Sequence, residues 1–238
     1  MRKLARLAPR HDGILDDPAF ANLAATASLV RLRKGATLYR AGEPAAALYE
    51  IANGGVRTVL SLPDGGTTVT GFRGAGEVFG LAAAGHHTDT AEAIAPTLVY
   101  GFERESLAQL VRASPAAACR LLELACAELA ARAEQVALLS RSDALGRLAL
   151  FIRMMQNGDA RGEAVRLAMS RGDIARYVGL SAEAVSRGFR TLAERGIVRF
   201  HTRRRLELLD RRQLDALIAN RTKRTHRCPA AADAPAGP

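Results

Sequence analysis

The stretch Leu180-SAEAVSRGFRTLAER-Gly196 sets Glu183, Ser186 and Arg187 among alanines, a valine and a phenylalanine. Ser181 has the side chain of a helix N-cap, and Gly196 is the residue type that ends one. At about 100° per residue, Glu183, Ser186, Arg187 and Arg190 fall on one side of the helix. Val185, Phe189 and Leu192 fall on the opposite side, as an apolar face turned to a core. A solvated charged face would carry the same residue types.

What precedes this helix gives the polar face a use. In "MSRGDIARYVG" Ser170 is a second N-cap, and Asp173 three residues on makes an acidic variant of the capping box. Ile174, Tyr177 and Val178 form an i, i+3, i+4 stripe, and Gly179 closes the helix. Two helices joined by a turn of about three residues containing glycine make a helix-turn-helix, whose second helix enters the DNA major groove. Arginine bonds bidentately to guanine O6 and N7, glutamate accepts from cytosine N4, and serine bonds several base edges. Glu183, Ser186 and Arg187 are therefore the candidate base-reading residues. Past Gly196, "IVRFHTRRRLELLD" alternates apolar residues around the basic tip Thr202–Arg205, a hairpin wing suited to phosphates. Ser170, Arg171, Ser181, Arg190, Thr202, Arg203 and Arg204 are the candidate phosphate contacts.

Charge is divided along the chain in the same sense. Residues 1–140 carry 14 Lys/Arg against 14 Asp/Glu, whereas residues 141–238 carry 20 against 10, so the last 98 residues hold the entire net +10. A neutral front and a basic back fit a regulatory or assembly unit joined to a unit that binds a polyanion. A generally basic protein would share the charge in proportion to length. At 238 residues the chain can bury a sizeable core in two domains.

No apolar run of about 18 residues is present, and no h-region follows Arg2, Lys3 and Arg6. Three cysteines without framework spacing point to a reducing compartment, and the expected location is the cytoplasm. The basic, then Ala/Pro-rich stretch from Arg221 to Pro238 has the composition of a disordered tail.

Between Ala36 and Phe102, short apolar runs ("TLYRA", "ALYEI", "VRTVLSL") are broken by glycine-rich turns, the pattern of a β-sandwich or barrel. "LSLPDGGTTVTGF" predicts a hairpin turning at Asp64-Gly65. From Ser114-Pro115 to about Arg141 the pattern becomes helical. Cys119, Leu122, Cys126, Leu129, Ala133 and Val136 recur at spacings of three and four, an a/d seam for a helix pair. A core helix lying on its own barrel gives the same stripe. Paired recognition helices reading two half-sites favour the dimer.

In this order the parts resemble the cyclic-AMP receptor/fumarate-nitrate regulator (CRP/FNR) family of bacterial transcription factors, over about Leu29 to Leu217. The most specific match is "SRGDIARYVGLSAEAVSRGFRTLAERGIV", and Glu183, Ser186 and Arg187 look like the fumarate-nitrate and nitrogen-fixation-regulator (FixK-like) branch. The resemblance implies an α+β fold. A β-roll sensor resembling a cyclic-nucleotide-binding jelly roll would span 1–113 and a dimerisation helix 114–141. A winged helix-turn-helix would span 142–220 and the tail 221–238. It also implies a homodimeric regulator, more often activator than repressor, that binds double-stranded DNA at an inverted repeat of TTGAT-like half-sites and meets RNA polymerase.

The sensor half departs from that family in two places. Aligning "GEVFGLAAAGHHTDTAEAIA" puts Leu81 where the cyclic-AMP branch has its ribose-binding glutamate. Asp89-Thr90 stand where that branch has the Arg-Ser pair that holds phosphate. A carboxylate facing a phosphate is repulsive and removes a charge-assisted pair, so cyclic AMP is not expected. No cysteine precedes Cys119, which excludes the N-terminal iron–sulfur cluster of the oxygen-sensing members. His86 and His87 in "GHHT" could serve a metal or haem, although adjacent loop histidines are more often solvated. The expectation is no cofactor and no metal. Two other function classes compete: a cyclic-nucleotide-type ligand module without DNA function, and an enzyme. The first would not need three base-reading residues on one helix face. The second lacks G-x-G-x-x-G, a Walker loop, metal-spaced histidines or a nucleophile motif.

Overall fold

A computed structural model describes residues 13–82, 85–156 and 164–219. The tail expected over 221–238 and the basic residues Arg2, Lys3 and Arg6 lie outside them. A short 3-10 turn, Pro18–Phe20, is capped by the Asp17 carboxylate and leads into α1 (Ala21–Ala25). Eight strands follow: β1 (Ser28–Leu32), β2 (Thr37–Tyr39), β3 (Ala47–Asn53), β4 (Gly55–Ser61), β5 (Thr67–Gly74), β6 (Val78–Phe79), β7 (Thr90–Ala93) and β8 (Thr97–Glu103). They pair antiparallel in two four-stranded sheets, ordered β1-β8-β3-β6 and β2-β7-β4-β5. Tyr39, Val56 and Ala91 from one sheet pack with Ile51, Phe79 and Val99 from the other, so the sheets close over a shared core.

The β4–β5 hairpin turns where the sequence predicts. Leu62 N–H donates to Gly66 O at 2.8 Å, and the Asp64 carboxylate accepts from Gly66 N–H at 2.9 Å. Helix α2 (Arg104–Ala113) then leads to the long α3 (Pro115–Leu139), which starts with Ser114 accepting from Ala117 N–H at 3.2 Å and Pro115 at the first turn.

The inner side of α3 is Ala117, Gln135 and Leu138. Its apolar stripe faces elsewhere. Cys119, Leu122, Cys126, Leu129, Ala133 and Val136 are all exposed, with Leu122 at 65%, Leu129 at 71% and Val136 at 63%. The stripe therefore does not lie on its own barrel.

The C-terminal unit comprises α4 (Ala144–Gln156), β9 (Ala164–Arg166), α5 (Arg171–Val178), α6 (Ala182–Glu194), β10 (Val198–Thr202), β11 (Arg205–Leu208) and α7 (Arg211–Ala219). Its core is not separate from the roll. Val59, Val69, Phe72 and Ile94 of the roll join the buried cluster built by α4, α5 and α6. The Phe72 and Tyr177 rings lie 5.3 Å apart, and Gln135 Nε2 donates to Val69 O at 2.8 Å and Tyr177 O at 3.4 Å. The Arg57 guanidinium of β4 pairs with Glu92 on β7 and with Asp173 on α5.

Candidate nucleic-acid interface

Helix α5 begins with the capping box that its sequence predicts. Ser170 Oγ accepts from Asp173 N–H at 3.1 Å, and the Asp173 carboxylate accepts from Ser170 N–H at 3.0 Å and Ser170 O–H at 2.7 Å. Burial alone would raise the Asp173 pKa, but the Ser170 hydrogen bonds, with Arg57 and Arg176, hold it below the ordinary carboxylate value. The helix stops at Gly179, whose φ of +64° is the left-handed conformation that glycine adopts at least cost. After Leu180, Ser181 Oγ accepts from Ala184 N–H at 3.1 Å and α6 begins. Both cap serines remain at the surface, and their hydroxyls already serve the helix ends.

Helix α6 buries Val185, Gly188, Phe189 and Leu192. A Cβ on Gly188 would overlap Leu148 Cδ1, so this glycine lets α6 approach α4 closely. The opposite face carries Glu183, Ser186, Arg187 and Arg190, all exposed. Glu183 and Arg187 have the i, i+4 spacing of a helical ion pair, yet neither they nor Arg190 has an ion-pair partner among the described residues. Ser186 Oγ donates to Ala182 O at 2.8 Å, a bond that rotation about χ1 releases. Apart from that serine hydroxyl, the face is a row of charged groups without ion-pair partners among the described residues.

Beside it, β10, β11 and β9 form a three-stranded antiparallel sheet in the order β10-β11-β9. Thr202, Arg203 and Arg204 are exposed at its hairpin tip, where Thr202 Oγ1 accepts from Arg204 N–H at 3.2 Å. Arg171 is placed less simply than its sequence position suggests. Its guanidinium carbon lies 4.0 Å from the Phe189 ring centre and 5.1 Å from that of Phe200, two rings packed edge to face. Burial, with Arg203 nearby, lowers its pKa, and its buried Nη1 has no hydrogen-bond partner among the described residues. Arg171 is thus a half-buried cation on an aromatic platform.

In the roll, a cavity of about 50 Å³ lies between the sheets and α3. Leu81 and Asp89, the two positions where the sequence departs from cyclic-AMP binders, both line it, with Tyr39, Arg73, His87, Glu128 and Arg132. Nothing local in the sequence marks Arg73 or Arg132 as a cavity residue. Arg73 pairs with Glu128 at 2.6 Å, while Arg132 pairs with Glu128 at 2.8 Å and Asp89 at 3.5 Å. His86 is exposed as expected of a loop histidine. His87 is not: it is 5% exposed and stacks on Tyr39 with ring centres 3.5 Å apart. Burial lowers its pKa, favouring the neutral ring. Among the described residues, no group of three or more His, Cys, Asp or Glu could hold a metal, and no helix is long and apolar enough to cross a membrane.

Comparison with known proteins bears on both halves. Residues 29–114 match the cyclic nucleotide-binding domain, and residues 146–217 the Crp-like helix-turn-helix domain. The fumarate and nitrate reduction regulatory protein of Escherichia coli (strain K12) is 34% identical over 163 residues, which is 66% of this chain. The chain spans 65% of the length of that relative. The structure of FixK2 from Bradyrhizobium japonicum is 34% identical, with a TM-score of 0.76 over 81% of this chain and 97% of that one. A CooA mutant from Carboxydothermus hydrogenoformans, 20% identical, shares the fold at a TM-score of 0.68 over 81% of this chain and 88% of its own.

Proposed function

The chain belongs to the CRP/FNR family of transcription regulators, and from that premise we propose a homodimeric activator that reads an inverted repeat of TTGAT-like half-sites. The observation that carries this reading is the exposed face of α6. Glu183, Ser186 and Arg187 stand there without ion-pair partners, with the chemistry to accept from cytosine, bond a base edge and grip guanine. Ser170, Arg171, Ser181, Arg190, Thr202, Arg203 and Arg204 would position the helix through backbone phosphates. RNA polymerase is the partner through which an activator of this family would act.

Binding is read as needing no cofactor. A cyclic nucleotide would bring its phosphate against the Asp89 carboxylate, and the two guanidinium groups in the cavity, Arg73 and Arg132, are already neutralised by Glu128 and Asp89. The lining does not fit that ligand. An iron–sulfur cluster held by N-terminal cysteines has no thiolates to hold it, since the first cysteine is Cys119.

The test is fluorescence anisotropy of the purified chain, without added nucleotide or metal, on a duplex carrying the inverted repeat. Arg187→Ala is expected to weaken binding by about 1–3 kcal/mol and to relax preference at one guanine per half-site. Unchanged affinity and preference in that variant would remove α6 as the recognition helix.

The exposed stripe on α3 supports the dimer. Six small or apolar residues in heptad register on one helix face suit a parallel two-fold pair, with Cys119 and Cys126 as compact fillers. Charging that seam with Leu122→Glu and Leu129→Glu together is expected to convert a dimer to a monomer in sedimentation at micromolar concentration. A doubly charged variant that stays dimeric would place the interface elsewhere.

A further inference from the structure

The wing sheet pairs two arginines directly across neighbouring strands. On its inner face Val165 and Leu206 are buried, at 2% and 0% exposure, and on its outer face Arg166 of β9 stands opposite Arg205 of β11. The same row continues to Thr202 of β10, and Leu167 N–H donates to Arg204 O at 2.8 Å, so the row lies at the hairpin-tip end of the sheet.

Directly opposed like charges destabilise a sheet, and side chains so placed start only about 4.5–5.5 Å apart at Cβ. A nearby acid could relieve that repulsion. Glu207, two residues from Arg205, instead accepts from or pairs with His201 at 2.9 Å and Arg199 at 3.8 Å. Neither Arg166 nor Arg205 has an ion-pair or side-chain hydrogen-bond partner among the described residues. Two guanidinium groups carried on directly opposed positions of neighbouring strands offer planar forks of N–H donors, the donor set that matches phosphate oxygens.

We propose that Arg166 and Arg205 form a clamp for a single DNA backbone phosphate beside the wing tip, extending the DNA-binding surface onto β9. The inference rests on the DNA-binding reading above. Arg166 lies outside the helix-turn-helix and its wing hairpin, so the contact positions the protein on the duplex and reads no base. Phosphate also removes the repulsion between the two side chains, which gives the otherwise unfavourable pairing a purpose.

The clamp is tested by measuring affinity against salt for Arg166→Gln, Arg205→Gln and the double variant. Both an inverted-repeat duplex and a scrambled duplex are used, with melting curves to verify folding. Each single variant should weaken both duplexes several-fold and equally. The double variant should lower the slope of log K against log salt by about 0.9 per protomer, one lost phosphate. Its loss should also be smaller than the product of the single losses, because the two groups act on one anion. Relief of repulsion should leave the melting temperature unchanged or raised. A fall in slope near twice that value would assign two separate phosphates and overturn the clamp, as would no fall at all. Arg187→Ala separates the two readings: if it loses base preference while the double glutamine variant keeps the wild-type slope, only the clamp fails. Wild-type chain that binds neither duplex overturns both.

Discussion

Asp173→Ala is expected to destabilise the folded chain by about 3–5 kcal/mol, the range seen when one member of a buried ion pair is removed. The Asp173 side chain is 5% exposed and serves three functions at once. It closes the α5 capping box, it pairs with Arg176 at 2.8 Å, and it receives the Arg57 guanidinium from the roll. Arg57 keeps Glu92 after the change, which puts the loss toward the lower end of the range. Asp173→Asn separates the parts, because an amide oxygen can still cap the helix while the charge toward Arg57 is gone.

The pH dependence follows from the depressed pKa. A carboxyl group held below its unfolded value of about 3.9 contributes its full stability above that pH and loses it as pH falls through the folded value. Urea unfolding of wild type and Asp173→Ala should therefore differ by the full amount from neutrality down to about pH 4, and the two should draw together only at lower pH, as the folded-state carboxyl takes up its proton. Equal stability at pH 7 would mean that the clasp between roll and α5 carries no net energy.

Phe189→Ala is expected to cost a similar amount, about 3–5 kcal/mol, as for other fully buried aromatic rings. Phe189 is 2% exposed, meets Phe200 edge to face at 5.5 Å between centres, and supports the Arg171 guanidinium. For a chain of this size the melting temperature should fall by roughly 6–20 °C. Phe189→Leu keeps much of the buried volume but removes the aromatic face. Its expected signature is a smaller melting shift together with weaker DNA binding that does not depend on sequence, since Arg171 loses its platform. A Phe189→Ala protein melting within about 2 °C of wild type would show that α6 and the wing are held by other contacts.

The helix-turn-helix was legible because its signals act over a few residues. Ser170 and Ser181 bond backbone N–H groups three positions on, Gly179 supplies the left-handed stop, and the apolar period of α6 selects Val185, Phe189 and Leu192 as its inner face. The β4–β5 turn at Asp64-Gly65 and the alternating wing are local in the same way. The stripe from Cys119 to Val136 was also readable, but periodicity alone left open whether it faced the roll or a second chain. Packing decided that it does not face the roll, because α3 turns Ala117, Gln135 and Leu138 inward instead.

Other features have no local signature. Arg57 and Asp173 lie 116 residues apart, and only the docking of α5 on the β4–β5 hairpin brings them together. His87 sits in a polar loop motif yet stacks on Tyr39, since the roll folds that loop back over its own core. Arg73 and Arg132 meet in one cavity because α3 lies against β5, where Arg132 and Gln135 donate to the Thr70 and Val69 carbonyls and Glu128 reaches Arg73. The Arg166–Arg205 pairing depends on the register between β9 and β11, and a slip of one residue would turn either side chain to the other face. The sequence by itself determined the two helices of the helix-turn-helix, their caps and their apolar faces, because those depend on bonds and periods within a few turns. Only the tertiary structure decided which charges meet, because ion pairs and strand register between distant segments are set by how the packed elements close on one another.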